Sequence, residues 1–204
     1  MLHSSDIVAP DKRTPGVARI DPTIFPMLDK LYTRRIQRLG TLADAQQGNG
    51  EYFRFLVRLV QSQQQILAQN PLGSDDVPAI YALFDQKPDL ARLQNSLLNI
   101  GYWQKAYRTL VEQVAPLLPQ TVREKLLTLP ADKEQLAHAA ACLLHHKYQQ
   151  VDAGVAVVLW AALSSSWAQA AALNPVQDMA QATAQAVHCP CCGAPPVASL
   201  VLGG

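Results

Sequence analysis

The chain has 204 residues, 49% apolar but only 6% aromatic, with a formal net charge of +1 and a pI near 7.7. That length and apolar content allow one domain with a full core plus a small appendage. The balanced charge excludes the dense basic surface that a general grip on nucleic acid needs. Alanine and leucine supply most of the apolar count, which favours helix over sheet.

Residues 1–20 hold two prolines, a glycine and mixed charges, and read as an extended N-terminal tail. The start lacks a continuous apolar run and mixes acids with bases, so no secretory signal is expected. Asp21 with Pro22 suits a helix start. From Pro26, Leu28, Leu31, Leu39 and Leu42 recur at helical spacing, while Lys30, Arg34 and Arg38 fall at i, i+4, i+8 with Arg35 beside them. The glycines of "QQGNGE" end this helix. "EYFRFLVRLVQSQQQILAQN" predicts the next, with Phe53, Leu56, Val60 and Leu67 inward. "NPLGSDDVP" is a turn cluster, and Pro88-Asp89 opens a short helix toward Ile100. "GYWQKAYRTLVEQV" predicts a helix up to Pro116, and "PQTVREKLLTL" a shorter one. "PADKEQLAHAAACLLHHKY" is strongly helical, with Leu136, Ala140, Leu143 and Leu144 inward.

Ala153 to Gln177 carries no charge. Its best apolar run falls short of the roughly 20 residues a membrane span requires, so no stable membrane insertion is expected. A helix apolar all round belongs at the centre of a bundle. The fold expected is mainly α: a multi-helix N-terminal bundle over residues 21–186, then at 187–204 the first half of a rubredoxin-like or zinc-ribbon knuckle. No glycine-rich phosphate loop, βαβ alternation or internal repeat is present.

Four cysteines occur, and Cys189, Cys191 and Cys192 crowd into four positions of "HCPCCGAPP". This layout suits a reducing cytoplasm better than a disulfide scaffold. Cys189 and Cys192 stand at C-x-x-C spacing with Gly193 behind them, the pattern of a tight metal-binding turn whose thiolates converge on zinc or iron. Closure of such a site needs two further ligands. Cys191, next to Cys192, is poorly placed on the same ion, as is His188 beside Cys189. A thiol redox pair is the alternative, although "GAPP" makes a poor helix start behind it. Incidental thiols in a tail are the third reading.

Three weaker patterns remain. His138, Cys142 and His145 share a helical face, yet no carboxylate on that face would orient the imidazoles, so a packed cysteine flanked by ordinary histidines is expected. Lys30, Arg34, Arg35 and Arg38 form either a solvated face or a docking patch for an acidic partner. Ser164 to Ser166 suggest close helix packing, with no elbow motif to mark a nucleophile.

Taken in order, four segments resemble the formate dehydrogenase accessory protein family (FdhE): "DKRTPG", "FPMLDKLYTRRIQRLGTLA", "WAALSSSWAQAAALNP" and "CPCCGAPPVASLV". The resemblance implies a non-enzymatic cytoplasmic assembly factor. Its partner would be the catalytic subunit of respiratory formate dehydrogenase, which carries molybdenum cofactor and an iron–sulfur cluster. It also implies a helical domain followed by two rubredoxin-like iron modules, with Cys189 and Cys192 matching the first ligand pair. The sequence stops after that pair, as a C-terminally truncated member would. Metal binding would then need ligands from elsewhere, for example from a homodimer that pools two half sites. A zinc-ribbon nucleic-acid binder is the alternative from another class, disfavoured by near-neutral charge and the lack of interleaved aromatics and arginines.

Overall fold

In the computed structural model, the described residues are 27–45, 48–73, 75–76 and 97–173, and every regular element among them is helical. Six α-helices are defined: α1 Leu28–Ala45, α2 Gly50–Gln69, α3 Tyr102–Val114, α4 Gln120–Thr128, α5 Lys133–Leu144 and α6 Ala153–Ala172. Short 3-10 turns follow α3, α4 and α5. The expected mainly-α bundle is therefore observed. The tail expected at 1–20 and the knuckle expected at 187–204 lie outside the described residues.

Local sequence accounts for the helix ends. The Asp132 carboxylate accepts from the Gln135 backbone N–H and caps α5. Asp152 caps α6 in the same way, accepting from the Gly154 and Val155 N–H groups. Each such cap answers N–H groups that have no partner within the helix. α5 ends in a Schellman motif: Lys147 N–H donates to the Cys142 carbonyl at 2.8 Å and His146 N–H to that of Leu143 at 3.1 Å. His146 holds the left-handed position of this motif at φ 60°, a place usually taken by glycine.

α6 is the central element. It packs against each of the other five helices. Val155, Val158, Leu159, Ala161, Ala162, Leu163, Ser165, Ser166, Gln169 and Ala170 are all buried, Ala156, Val157 and Trp167 are half-buried beside them, and Trp160 is exposed. Length and composition alone would let Ala153–Ala172 cross a membrane; here the core of the bundle surrounds most of it. α3 lies against α6 with a regular apolar stripe, Tyr102, Trp103, Ala106, Tyr107, Leu110, Val111 and Val114. This 3.6-residue recurrence marks a helix with one face in the core.

The inward residues expected on α5, Leu136, Ala140, Leu143 and Leu144, are all buried. On α2 the deepest positions are Leu59, Val60, Gln63 and Ile66, while Phe53, Leu56 and Leu67 are half-buried along the flank. The buried stripe is rotated from the expected one and includes a glutamine, Gln63. On α1, Leu28, Leu31, Leu39 and Leu42 are half-buried, and Tyr32 and Ala43 go deepest.

Candidate functional site

Polar chemistry inside the bundle gathers where α1, α2 and α6 meet. Gln63 is 2% exposed. Its side-chain amide donates toward the Ala161 carbonyl at 2.8 Å, Ser165 Oγ at 3.1 Å and Ser164 Oγ at 3.2 Å. The Ser164 and Ser165 hydroxyls donate back to the same Ala161 carbonyl, at 3.0 and 2.9 Å. Tyr32 of α1 reaches Ser165 Oγ through a long contact of 3.5 Å. One turn further along α6, Gln169 Oε1 accepts from the Leu72 backbone N–H at 2.9 Å. Tyr102 donates to the Asn70 carbonyl at 2.8 Å. Burial pushes the Tyr32, Tyr102 and Tyr107 phenols above their ordinary value, which keeps them as neutral donors.

This network bears out the packing role of the serine run, since each hydroxyl is engaged by a carbonyl within its own helix. The periodic pattern passed over Gln63 and Gln169. Their signal was register: Gln63 falls at i+4 from Leu59 on the apolar stripe, and a polar residue there requires a partner across the interface.

The His138–Cys142–His145 face is not assembled as a metal site. The Cys142 thiol is buried and donates to Gln150 Oε1 at 3.2 Å, with His138 Nε2 at 3.6 Å. Among the described residues, no group of three or more His, Cys, Asp or Glu side chains is placed to hold a metal ion. The packed-cysteine reading stands. The thiolate candidates Cys189, Cys191 and Cys192 lie outside the described residues.

The charged candidates are placed clearly. Lys30, Arg34, Arg35 and Arg38 are all exposed on α1. None forms an ion pair with a carboxylate among the described residues, unlike Arg54, paired to Glu51, and Lys125, paired to Asp152. α1 is held by its opposite side: Tyr32 contacts Ser165, and Gln64 of α2 donates to Thr33 Oγ1 at 3.2 Å.

Two concave surfaces lie in the described part. A cleft of about 510 Å³ separates the end of α2 from the start of α3, with Ile66, Tyr102 and Ala106 lining it alongside Asp76 and Lys105. Its Thr109 hydroxyl donates to the Lys105 carbonyl at 3.2 Å. An apolar groove of about 410 Å³ runs between Tyr52, Phe55, Leu117, Leu118, Val122 and Val157.

Comparison with known proteins places this architecture. The family model described as "FdhE, N-terminal" matches residues 20–184. The chain is 35% identical over 193 residues to a "Protein FdhE homolog" of Cronobacter sakazakii, covering 94% of this chain and 61% of that protein. It is 33% identical over 209 residues to an Edwardsiella ictaluri homologue, covering 100% and 66%. It is 31% identical over 203 residues to "Protein FdhE" of Salmonella paratyphi B, covering 98% and 64%. The chain thus spans a little under two thirds of the length of these curated relatives. No solved structure matches it. Family model and relatives agree across the whole helical region: the chain belongs to the FdhE family.

Proposed function

We propose that this chain is a non-catalytic accessory factor, chaperone-like in action, needed for the formation of active respiratory formate dehydrogenase. It acts in the cytoplasm, and its helical domain binds the enzyme's catalytic subunit. The observation that carries this reading is the family match across residues 20–184, the stretch that builds the bundle. Two features agree with it. The buried polar groups are engaged in packing, and the cations of α1 point away from the core.

Cys189 and Cys192 are proposed as ligands for iron or zinc, with Cys191 a poorer third donor. Two thiolates at this spacing fill half of a tetrahedral set, and two further ligands would close it.

The test is to tag the chain and recover it from cells respiring formate, beside a Cys189→Ala/Cys192→Ala double variant. Co-purification of the formate dehydrogenase catalytic subunit with both forms places docking on the helical domain. Co-purification with the unaltered chain alone makes the thiolate pair part of the binding unit. Absence of the subunit from both refutes the assignment of partner.

A further inference from the structure

α1 repeats one feature three times. Lys30, Arg34 and Arg38 follow each other at four-residue intervals, and all three are exposed. Each step is about 6 Å along the axis and about 40° around it, so the three form a slowly winding row, with Arg35 on its flank. The chain as a whole is nearly neutral at +1, so this row is a local concentration of charge rather than part of a general basic surface. Among the described residues no carboxylate pairs with it, and its own helix contributes only Asp29 and Asp44 at its two ends.

We infer that the outward face of α1 is a docking surface for an acidic helix of a protein partner, whose carboxylates recur one turn apart and meet Lys30, Arg34 and Arg38 in register, with Arg35 closing one side. This deepens the accessory-factor reading, on which it rests for the partner's identity. Charge complementarity selects the class. A partner helix with Asp or Glu at i, i+4, i+8 repeats the same axial spacing of about 6 Å. Arginine forks match carboxylates through paired N–H donors.

The other anionic surfaces fit less well. Single-stranded nucleic acid needs aromatic platforms beside its cations, and the one aromatic of α1, Tyr32, is buried with its hydroxyl toward Ser165. A membrane surface needs an apolar wedge on the binding helix, whereas the deepest side chains of α1, Tyr32 and Ala43, go into the bundle. Exposed ion pairs contribute about fivefold each at most, so docking is reversible and salt-sensitive, with its effect mainly on the association rate.

The test uses the full 204-residue chain and two probes. The first is an alanine-rich helical peptide carrying glutamates at four-residue intervals, followed by NMR amide shifts. The second is the purified formate dehydrogenase catalytic subunit, followed by binding affinity at low salt. Lys30→Glu/Arg34→Glu/Arg38→Glu reverses the row, Lys30→Gln/Arg34→Gln/Arg38→Gln neutralises it, and Arg34→Lys/Arg38→Lys preserves its charge. The expected result is peptide-induced shifts concentrated on α1 and abolished by reversal. Subunit affinity should fall about 10-fold to 100-fold on reversal, less on neutralisation, and by under about 3-fold for the lysine variant. Shifts away from α1, no shifts at all, or a reversal variant that binds the subunit as tightly as the unaltered chain each overturn the inference and leave the accessory role standing. Tighter binding of α1 to anionic vesicles or to an oligonucleotide than to the peptide overturns it too. Peptide shifts on α1 with no subunit binding would support the acidic-helix face and refute the partner's identity.

Discussion

Gln63 is the sharpest place to test the bundle. Its amide faces three oxygens, the Ala161 carbonyl and the hydroxyls of Ser164 and Ser165. Gln63→Leu removes the donor but orphans nothing, because both serine hydroxyls still donate to Ala161. The expected cost is the net value of the lost hydrogen bonding, about 1 kcal/mol. Gln63→Glu keeps the shape and exchanges the NH2 group for an oxygen facing oxygens. A carboxylate there is desolvated with no cation on it, at a cost of about 3 kcal/mol or more at pH 7. For a chain of this size that lowers Tm by roughly 6–12 °C.

The pH dependence then has a definite sign. Burial raises the folded pKa of the new glutamate, so the folded state holds its proton over a range where the unfolded chain has lost it. The penalty is absent below about pH 4.3, the ordinary glutamate value, and full above the raised folded value. Thermal melts at pH 4 and pH 7.5, with the leucine variant as the reference at each pH, measure it. A glutamate variant that melts within about 2 °C of the leucine variant at pH 7.5 would refute the burial of Gln63 against the serines.

Four further substitutions probe particular positions. Gly154→Ala places a Cβ 2.6 Å from Val122 Cγ1 and should destabilise by about 1–2 kcal/mol. Gly40→Ala, in the interior of α1 with nothing within 4 Å, should stabilise by about 0.5–1 kcal/mol, and urea titrations of the pair should move in opposite directions. Asp152→Ala removes the α6 cap and the Lys125 pairing, a loss of about 1 kcal/mol at pH 7. The Lys125 contact holds the Asp152 carboxyl below its ordinary value of 3.8. Its contribution is therefore complete above that value and lost as pH falls through the depressed one, so the two proteins' stabilities should converge in acid. His146→Gly relieves the left-handed backbone at the end of α5 and should stabilise by about 1 kcal/mol, less what the His146 Nδ1–Tyr148 contact at 2.9 Å contributes.

Helix content was legible because the patterns were long and periodic. α3 and α5 carry unbroken apolar stripes, and the uncharged run at Ala153 marked the central helix before any packing was known. The inner edge of α2 was less legible, because hydrophobic periodicity cannot register an interior glutamine. What places Gln63 in the core is a set of acceptors on α6, nearly a hundred residues away in sequence, and pairings at that separation leave no local trace. The docking face was legible as a row of cations at helical spacing. That no described carboxylate pairs with it was not, since that depends on where acids such as Glu51 and Asp152 go, and both pair with cations elsewhere. The proposed metal site at Cys189 and Cys192, which lie outside the described residues, rests on their C-x-x-C spacing.

The core network and the proposed docking face bear on each other through α1. A partner that meets cations on a fraying helix must order that helix on binding, and the ordering cost comes out of affinity. Here Tyr32 toward Ser165 and Thr33 toward Gln64 tie the first half of α1 to two helices at once, from positions two and three residues beyond Lys30. The helix that carries the cations is thus fixed while the side chains themselves stay in solvent. Binding then orders only the ends of Lys30, Arg34 and Arg38. That is how ion pairs worth little individually can act together, because the backbone that spaces them is set before the partner arrives.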